Sequence, residues 1–376
     1  MMSEENQKYR FLSSYLPDAD KRRLVVLTGA RQTGKTTLSR RKYAGLRYIN
    51  LDAPENREML KKVFTPAWAA TIGNAVIDEA QKEPLVFEKI KYSYDEKGIS
   101  FTVLLGSSQI LLLKKIRESL AGRVSLYELW PLLMSELASE DNATSAAPPL
   151  VDEILSGKKL DAALKNAPAL LFGKEDLRIR AAEEHLLRWG GMPALLPLSD
   201  DERWKWLKDY EYTYLERDLS DLARLDDLEP FIKFQRLSAL RSGRLLNYSE
   251  LGRDAGVSVD TARRYLEYLR LSYQVMLLQP YYKNLTSSVI KTPKLYWIDI
   301  GLLRRLSGQR SGLPGELYET MVVSELYKWA KTAQRNAELF FYRTKWGSEL
   351  DLLVSTDNGI IGAEIKGRAD VVPSDI

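Results

Sequence analysis

The sequence has no cysteine and a single histidine, His185. The first absence excludes disulfides, thiol nucleophiles and cysteine-based zinc sites. The second excludes multi-histidine metal centres and leaves one imidazole for general-base work. His185 stands in a charged helical stretch, AAEEHLLRW, where a structural role is expected. Long apolar runs are also missing, so no membrane-spanning helix is expected. The N-terminus, MMSEENQKYR, lacks the apolar stretch of a secretory signal. With cysteine absent as well, a cytoplasmic location is expected. A strong charge of one sign is lacking too: the formal net charge is only +4. The molecule as a whole does not advertise a polyanionic partner.

The chain has 376 residues, 45% hydrophobic and 28% charged. That is ordinary for a globular protein and long enough for two or three domains. RRLVVLT at 22–28 is a short β-branched run ending at Gly29, and it reads as a buried parallel strand. A helix is expected from Lys35, and further strands at Tyr48–Leu51, Ala75–Ile77 and Phe101–Leu105. Alternating strands and helices imply a parallel sheet with covering helices. SEDNATSAAPP, at 139–149, reads as a linker or exposed loop. Residues 150–228 and 231–273 read as helical. YQVMLLQPYY, KLYWIDI, LFFYRT, ELDLLV and IIGAEIK read as strands, and a helix is expected from Leu317. No fixed-period repeat is present.

Gly29, Ala30, Arg31, Gln32, Thr33, Gly34, Lys35 and Thr36 spell GxxxxGK[ST] between a strand and a helix. Glycines let the backbone curl its amides toward phosphate oxygens, and the helix start adds its positive dipole end. These residues, with Thr37, are expected to bind ATP with Mg²⁺: Lys35 on the β- and γ-phosphates, the Thr36 hydroxyl on the metal. AVIDE, at 75–79, is an apolar strand ending in two carboxylates. Asp78 would hold the Mg²⁺ shell and Glu79 would polarise the attacking water. Ser107 and Ser108, at the tip of the next strand, could reach the γ-phosphate or the water. Arg123 is the candidate arginine for transition-state charge, in cis or from a neighbouring subunit of a homo-oligomer.

GARQTGKTT, VIDEAQ, GSS, ESLAGRV and WPLLMSEL, followed by RWGGMP, YLERDL and KLYWIDIGLL, resemble bacterial and archaeal AAA-type ATPases that carry a C-terminal domain of unknown function. The resemblance covers nearly the whole chain. It implies an α/β, AAA+-like P-loop NTPase core (1–138), a helical lid or linker (150–228), a winged helix (229–305) and a small nuclease-like α/β domain (313–376).

Residues 231–300 carry eleven Lys/Arg against five Asp/Glu. Within them, a helix from Ser249 to Ala255 broken by Gly256, and a second from Val259 capped by Ser258, form a helix-turn-helix pattern. Arg263, Arg264 and Arg270, with Thr261, are candidates for DNA contact. A protein-binding role is the alternative, because fold alone does not decide function. Further on, Glu349 and Asp351 share one face of an expected strand, and Glu364 and Lys366 one face of another. Two carboxylates and a lysine could hold Mg²⁺ for phosphodiester attack. The order resembles the PD-(D/E)XK nucleases, nearest the Holliday-junction resolvase type. That resemblance implies a further glutamate on the preceding helix, Glu319 or Glu325, of which Glu325 is the candidate. Only ten residues follow Lys366, so the nuclease-like fold is expected to be truncated.

Overall fold

The computed structural model describes residues 7–106, 116, 118–165, 173–214, 228–282, 292–344 and 349–367. It divides into two compact units. One is Leu12–Trp130; the other joins the N-terminal residues up to Phe11 to everything from Pro131 onward.

In the first unit, strands β1 (Arg23–Thr28), β2 (Arg47–Asn50), β3 (Ala75–Asp78), β4 (Phe101–Leu105) and β5 (Val124–Glu128) form one parallel sheet in the order β2-β3-β4-β1-β5. Why β1 is apolar from Leu24 to Leu27 is visible in its two faces. Leu24 and Val26 pack in one core with Ile77, Phe87 and Leu104. Val25 and Leu27 pack in a second core with Leu38, Val76 and Val103. A strand covered on both sides has no solvent face to leave polar. Helices α1 (Lys35–Lys42) and α2 (Leu85–Asp95) follow β1 and β3. Strand β5 was not expected from the sequence. It is an edge strand with an exposed Leu126, and VSLYE carries little apolar signal.

In the second unit, α3 (Lys174–Trp189), α4 (Glu229–Ala239), α5 (Tyr248–Ala255), α6 (Val259–Leu271), α7 (Ile300–Ser307) and α8 (Gly315–Thr332) accompany a six-stranded sheet. Its strands are β6 (Arg244–Leu245), β7 (Val275–Pro280), β8 (Lys294–Trp297), β9 (Glu338–Arg343), β10 (Glu349–Thr356) and β11 (Gly359–Ala363). Their order is β11-β10-β9-β7-β8-β6, and β7–β9 is the parallel pair. The segments RWGGMP and KLYWIDIGLL meet in one backbone junction. Asp299 accepts the Leu302 amide at 3.0 Å, capping α7, and the Gly191 amide at 2.8 Å. A Cβ on Gly301 would stand 2.0 Å from the Trp189 carbonyl oxygen, so only glycine fits there.

His185 lies on α3 with Nε2 buried and, among the described residues, without a hydrogen-bond partner. Burial, assisted by the nearby Arg203 charge, lowers its pKa to about 4. The unfolded chain takes a proton near the ordinary value of about 6.5, before the folded chain does. Stability is therefore complete above that value and declines as pH falls toward 4. Urea melts at pH 7 and pH 4.5 should differ by roughly 2 kcal/mol more in the wild type than in His185→Gln.

Candidate active site

The phosphate-binding loop leaves the carboxyl end of β1, the strand from which the sheet winds both ways. That is where open α/β sheets bind ligands. The loop's backbone is unusual where the motif requires it. Gly34, the N-cap of α1, has φ 94°, and Gln32 has φ 61°. A Cβ on Gly29 would stand 2.1 Å from the Leu129 carbonyl oxygen, so the neighbouring strand's exit forbids a side chain there. Thr33 is fully buried and its hydroxyl donates to the Ala30 carbonyl at 2.9 Å. The Lys35 side chain folds back over the loop. It is 7% exposed, and its ammonium donates to the carbonyls of Gly29 (2.9 Å) and Ala30 (2.7 Å). Thr37 lies exposed on α1.

Asp78 ends β3 and is buried. Its Oδ2 accepts the Thr36 hydroxyl at 2.6 Å and the Tyr48 hydroxyl at 2.6 Å, and its Oδ1 accepts the Glu79 amide at 2.9 Å. Tyr48 was not singled out in the sequence; it comes from β2, which pairs with β3. Burial, with the bond to Asp78, raises the phenol's pKa, so the hydroxyl is a donor. Glu79 has φ 53°, a left-handed backbone that a non-glycine residue adopts at a cost of about 1–3 kcal/mol. Its Oε2 accepts the Gln81 side-chain amide at 2.5 Å. Lys35, Thr36, Asp78 and Glu79 are thus assembled at the carboxyl edge of the sheet. A carboxylate and a hydroxyl within 2.6 Å are hard oxygen donors of the kind Mg²⁺ takes.

Arg123 is not assembled with them. It precedes β5 at the amino edge of the sheet, where Leu24 pairs with Val124. Its guanidinium is bidentate on Asp95, at 2.7 and 2.9 Å. The length of β1, about 17 Å, separates it from its own phosphate-binding loop. Ser107 and Ser108 lie outside the described residues.

In the second unit, α5 and α6 take the expected helix-turn-helix form. Asn247 caps α5 by accepting the Glu250 amide. Gly256 ends it at φ 76°, and Ser258 caps α6 by accepting the Thr261 amide. The antiparallel pair β7–β8 follows. Arg263 is exposed and stacks on Tyr248 at 4.4 Å; Arg264 is exposed and reaches the Thr261 hydroxyl at 3.2 Å. Neither forms an ion pair among the described residues. Arg270 is bidentate on Glu267. Three of this segment's cations are answered by acids from elsewhere: Arg236 by Glu211, Arg244 by Glu316, and Lys294 by Glu319 and Glu349.

The C-terminal carboxylates differ from the expectation in two ways. Glu325 does not meet Asp351; it accepts the Met134 amide at 2.8 Å and pairs with Lys328. Six residues of α8 separate it from Glu319, which turns the two about 120° apart. Glu319 is the one in the cluster. It accepts the Tyr296 hydroxyl at 2.5 Å and faces Lys294 at 3.1 Å, and burial raises its pKa. Lys294 also contacts Glu349 at 2.5 Å; burial works against its charge, but the two carboxylates outweigh it and raise its pKa. Second, Glu364 and Lys366 do not share a strand face, because β11 ends at Ala363. They pair with each other at 2.7 Å, while the Ile365 amide donates to Asp351 at 2.8 Å. Among the described residues, no group of three acidic or histidine side chains is set to hold a metal.

Residues 21–138 match a family described as an AAA domain. Residues 180–312 and 314–376 match two further families, DUF8612 and DUF4143, each described as a domain of unknown function. The uncharacterized protein Rv2008c of Mycobacterium tuberculosis is 31% identical over 353 residues, covering 91% of this chain and 70% of the relative. Mb2031c of Mycobacterium bovis matches to the same extent. The chain belongs to their family. Its first unit carries an AAA-type domain built on a parallel P-loop NTPase sheet. Among solved structures, the Walker-type ATPase PABY2304 of Pyrococcus abyssi is 15% identical with a TM-score of 0.47, covering 78% of this chain and 94% of that one. The Aeropyrum pernix ORC2 protein, in its ADP form, is 15% identical with a TM-score of 0.28, covering 86% and 92%. Among the described residues, no helix is long and apolar enough to cross a membrane.

Proposed function

We propose that this protein hydrolyses ATP with Mg²⁺ and couples turnover to DNA. The observation that carries the first half is Thr36 donating to Asp78 beside the buried Lys35 ammonium. Bound Mg-ATP supplies the phosphoanhydride and the cation that neutralises it. The chain's own groups do the rest. The loop amides at the start of α1 take phosphate oxygens, and Lys35 exchanges backbone carbonyls for the β- and γ-phosphates. Thr36 and Asp78 hold the metal side. Glu79 orients a water and accepts its proton as the water oxygen bonds to the γ-phosphorus and the bridging bond to the β-phosphate breaks. Arg123 could complete such a site only from a second copy, the homo-oligomeric reading. The direct test is nucleotide affinity with Mg²⁺, followed by ATPase rate with and without single-stranded, duplex and branched DNA.

The DNA half rests on α6, whose Arg263 and Arg264 are exposed and form no ion pair among the described residues. Neutralising both to alanine should weaken DNA binding about tenfold or more near 0.1 M salt. The log–log salt slope should fall by about 2, read by fluorescence anisotropy. An unchanged slope would remove DNA contact from this helix. The second reading is a nucleotide-operated scaffold for a protein partner, with an inert C-terminal region. Lys294 between two carboxylates and the separation of Glu325 from Asp351 favour inertness there. Cleavage of DNA by the wild type but not by Asp351→Ala would contradict that. An ATPase rate indifferent to every DNA form would support the scaffold.

A further inference from the structure

We infer that Tyr48 is a positioning residue for the metal-holding carboxylate, setting Mg²⁺ affinity through Asp78 without touching nucleotide; this rests on the Mg-ATP reading above. Three donors fix the Asp78 carboxylate. The Glu79 amide and the Thr36 hydroxyl come from the strand end and the phosphate-binding loop themselves. The third, Tyr48, reaches in from β2 to the same Oδ2 that Thr36 occupies, both at 2.6 Å. The β2–β3 register makes this reach possible: Tyr48 pairs with Val76 and Asn50 with Asp78, so the phenol runs along the strand toward the carboxyl edge. The ring is half-buried and is covered by Arg40 of α1, whose guanidinium lies 4.5 Å from the ring centroid. The helix that starts at the phosphate-binding loop thereby clamps the ring that aims Asp78.

A charged acceptor with three donors has few orientations left. Its free oxygen lone pairs are directed before any cation arrives, so less freedom is lost on binding. Removing the phenol hydroxyl lets the carboxylate rotate and leaves Thr36 as the one side-chain donor on Oδ2. The change falls on the metal, not on phosphate contacts made by Lys35 and the loop amides.

The test uses full-length protein, a fluorescent ATP analogue and a Mg²⁺ titration. Tyr48→Phe keeps the ring and removes the hydroxyl. The Mg²⁺ concentration that half-saturates the metal-dependent gain in nucleotide affinity should rise about tenfold. Affinity in EDTA should stay within about twofold of wild type. In an Asp78→Asn background, Tyr48→Phe should add nothing to the loss already present, because it acts through that carboxylate. A half-saturation point within about twofold of wild type overturns the inference. So does a loss of more than about threefold in EDTA, which would make Tyr48 a packing residue of the loop. Failure of the wild type to bind nucleotide in Mg²⁺ would strike the ATP reading instead, and is seen before any variant is made.

Discussion

Lys35→Ala should abolish nucleotide binding, with affinity for Mg-ATP at least about 100-fold weaker by calorimetry or fluorescence titration. The ammonium is buried, and its contacts are the carbonyls of the very loop that must wrap phosphate. A triphosphate brings several negative charges into that turn, and a charge-assisted bond in a site with little water is among the stronger single contacts. The loop's shape should survive, because Thr33, Gly29 and Gly34 set its backbone independently of the lysine. A far-ultraviolet circular dichroism spectrum matching wild type would locate the loss in the site. Affinity within a few-fold of wild type would remove Lys35 from phosphate binding.

Glu79→Gln should leave ATP binding within a few-fold of wild type and lower turnover by about 10²–10⁴. The glutamine keeps the shape but cannot take the water's proton. Glu79 stands one residue beyond Asp78 on a left-handed backbone, so its carboxylate leaves the strand in a different direction from that of Asp78. Its present bond to Gln81 must be exchanged for the water during turnover. Single-turnover hydrolysis of radiolabelled ATP, with retained nucleotide counted on a filter, separates the two effects. Hydrolysis at the wild-type rate would show that another group activates the water.

The central strands of the first unit were legible because burial on both faces leaves a run such as RLVVLT no alternative pattern. Strand β5 was not, since an edge strand with one wet face reads as an ordinary polar stretch. The turn of the helix-turn-helix was legible at Gly256 and Ser258, which are chemical requirements of a turn and a helix start; the Asn247 cap of the first helix was not singled out. The C-terminal carboxylates were misplaced for two reasons. Glu319 and Glu325 lie about 120° apart on one helix, and sequence alone does not say which of them turns to the sheet. Nor can the alternation of AEIK reveal that the strand stops at Ala363.

The sequence by itself determined the phosphate-binding loop and the acid pair. Both are local: one turn of backbone and one strand end, each specified by consecutive residues. Only the tertiary structure decided what pairing over long separations controls. It set Tyr48 on Asp78 through strand register and put Arg123 on Asp95 at the far edge of its own sheet. It inserted Lys294 between Glu319 and Glu349, and left Arg263 and Arg264 as exposed cations in a segment where Arg236, Arg244 and Lys294 are answered by acids from elsewhere. A count of charges along the chain cannot anticipate these pairings, because a side chain's partner is fixed by the fold that brings it near and not by its neighbours in sequence.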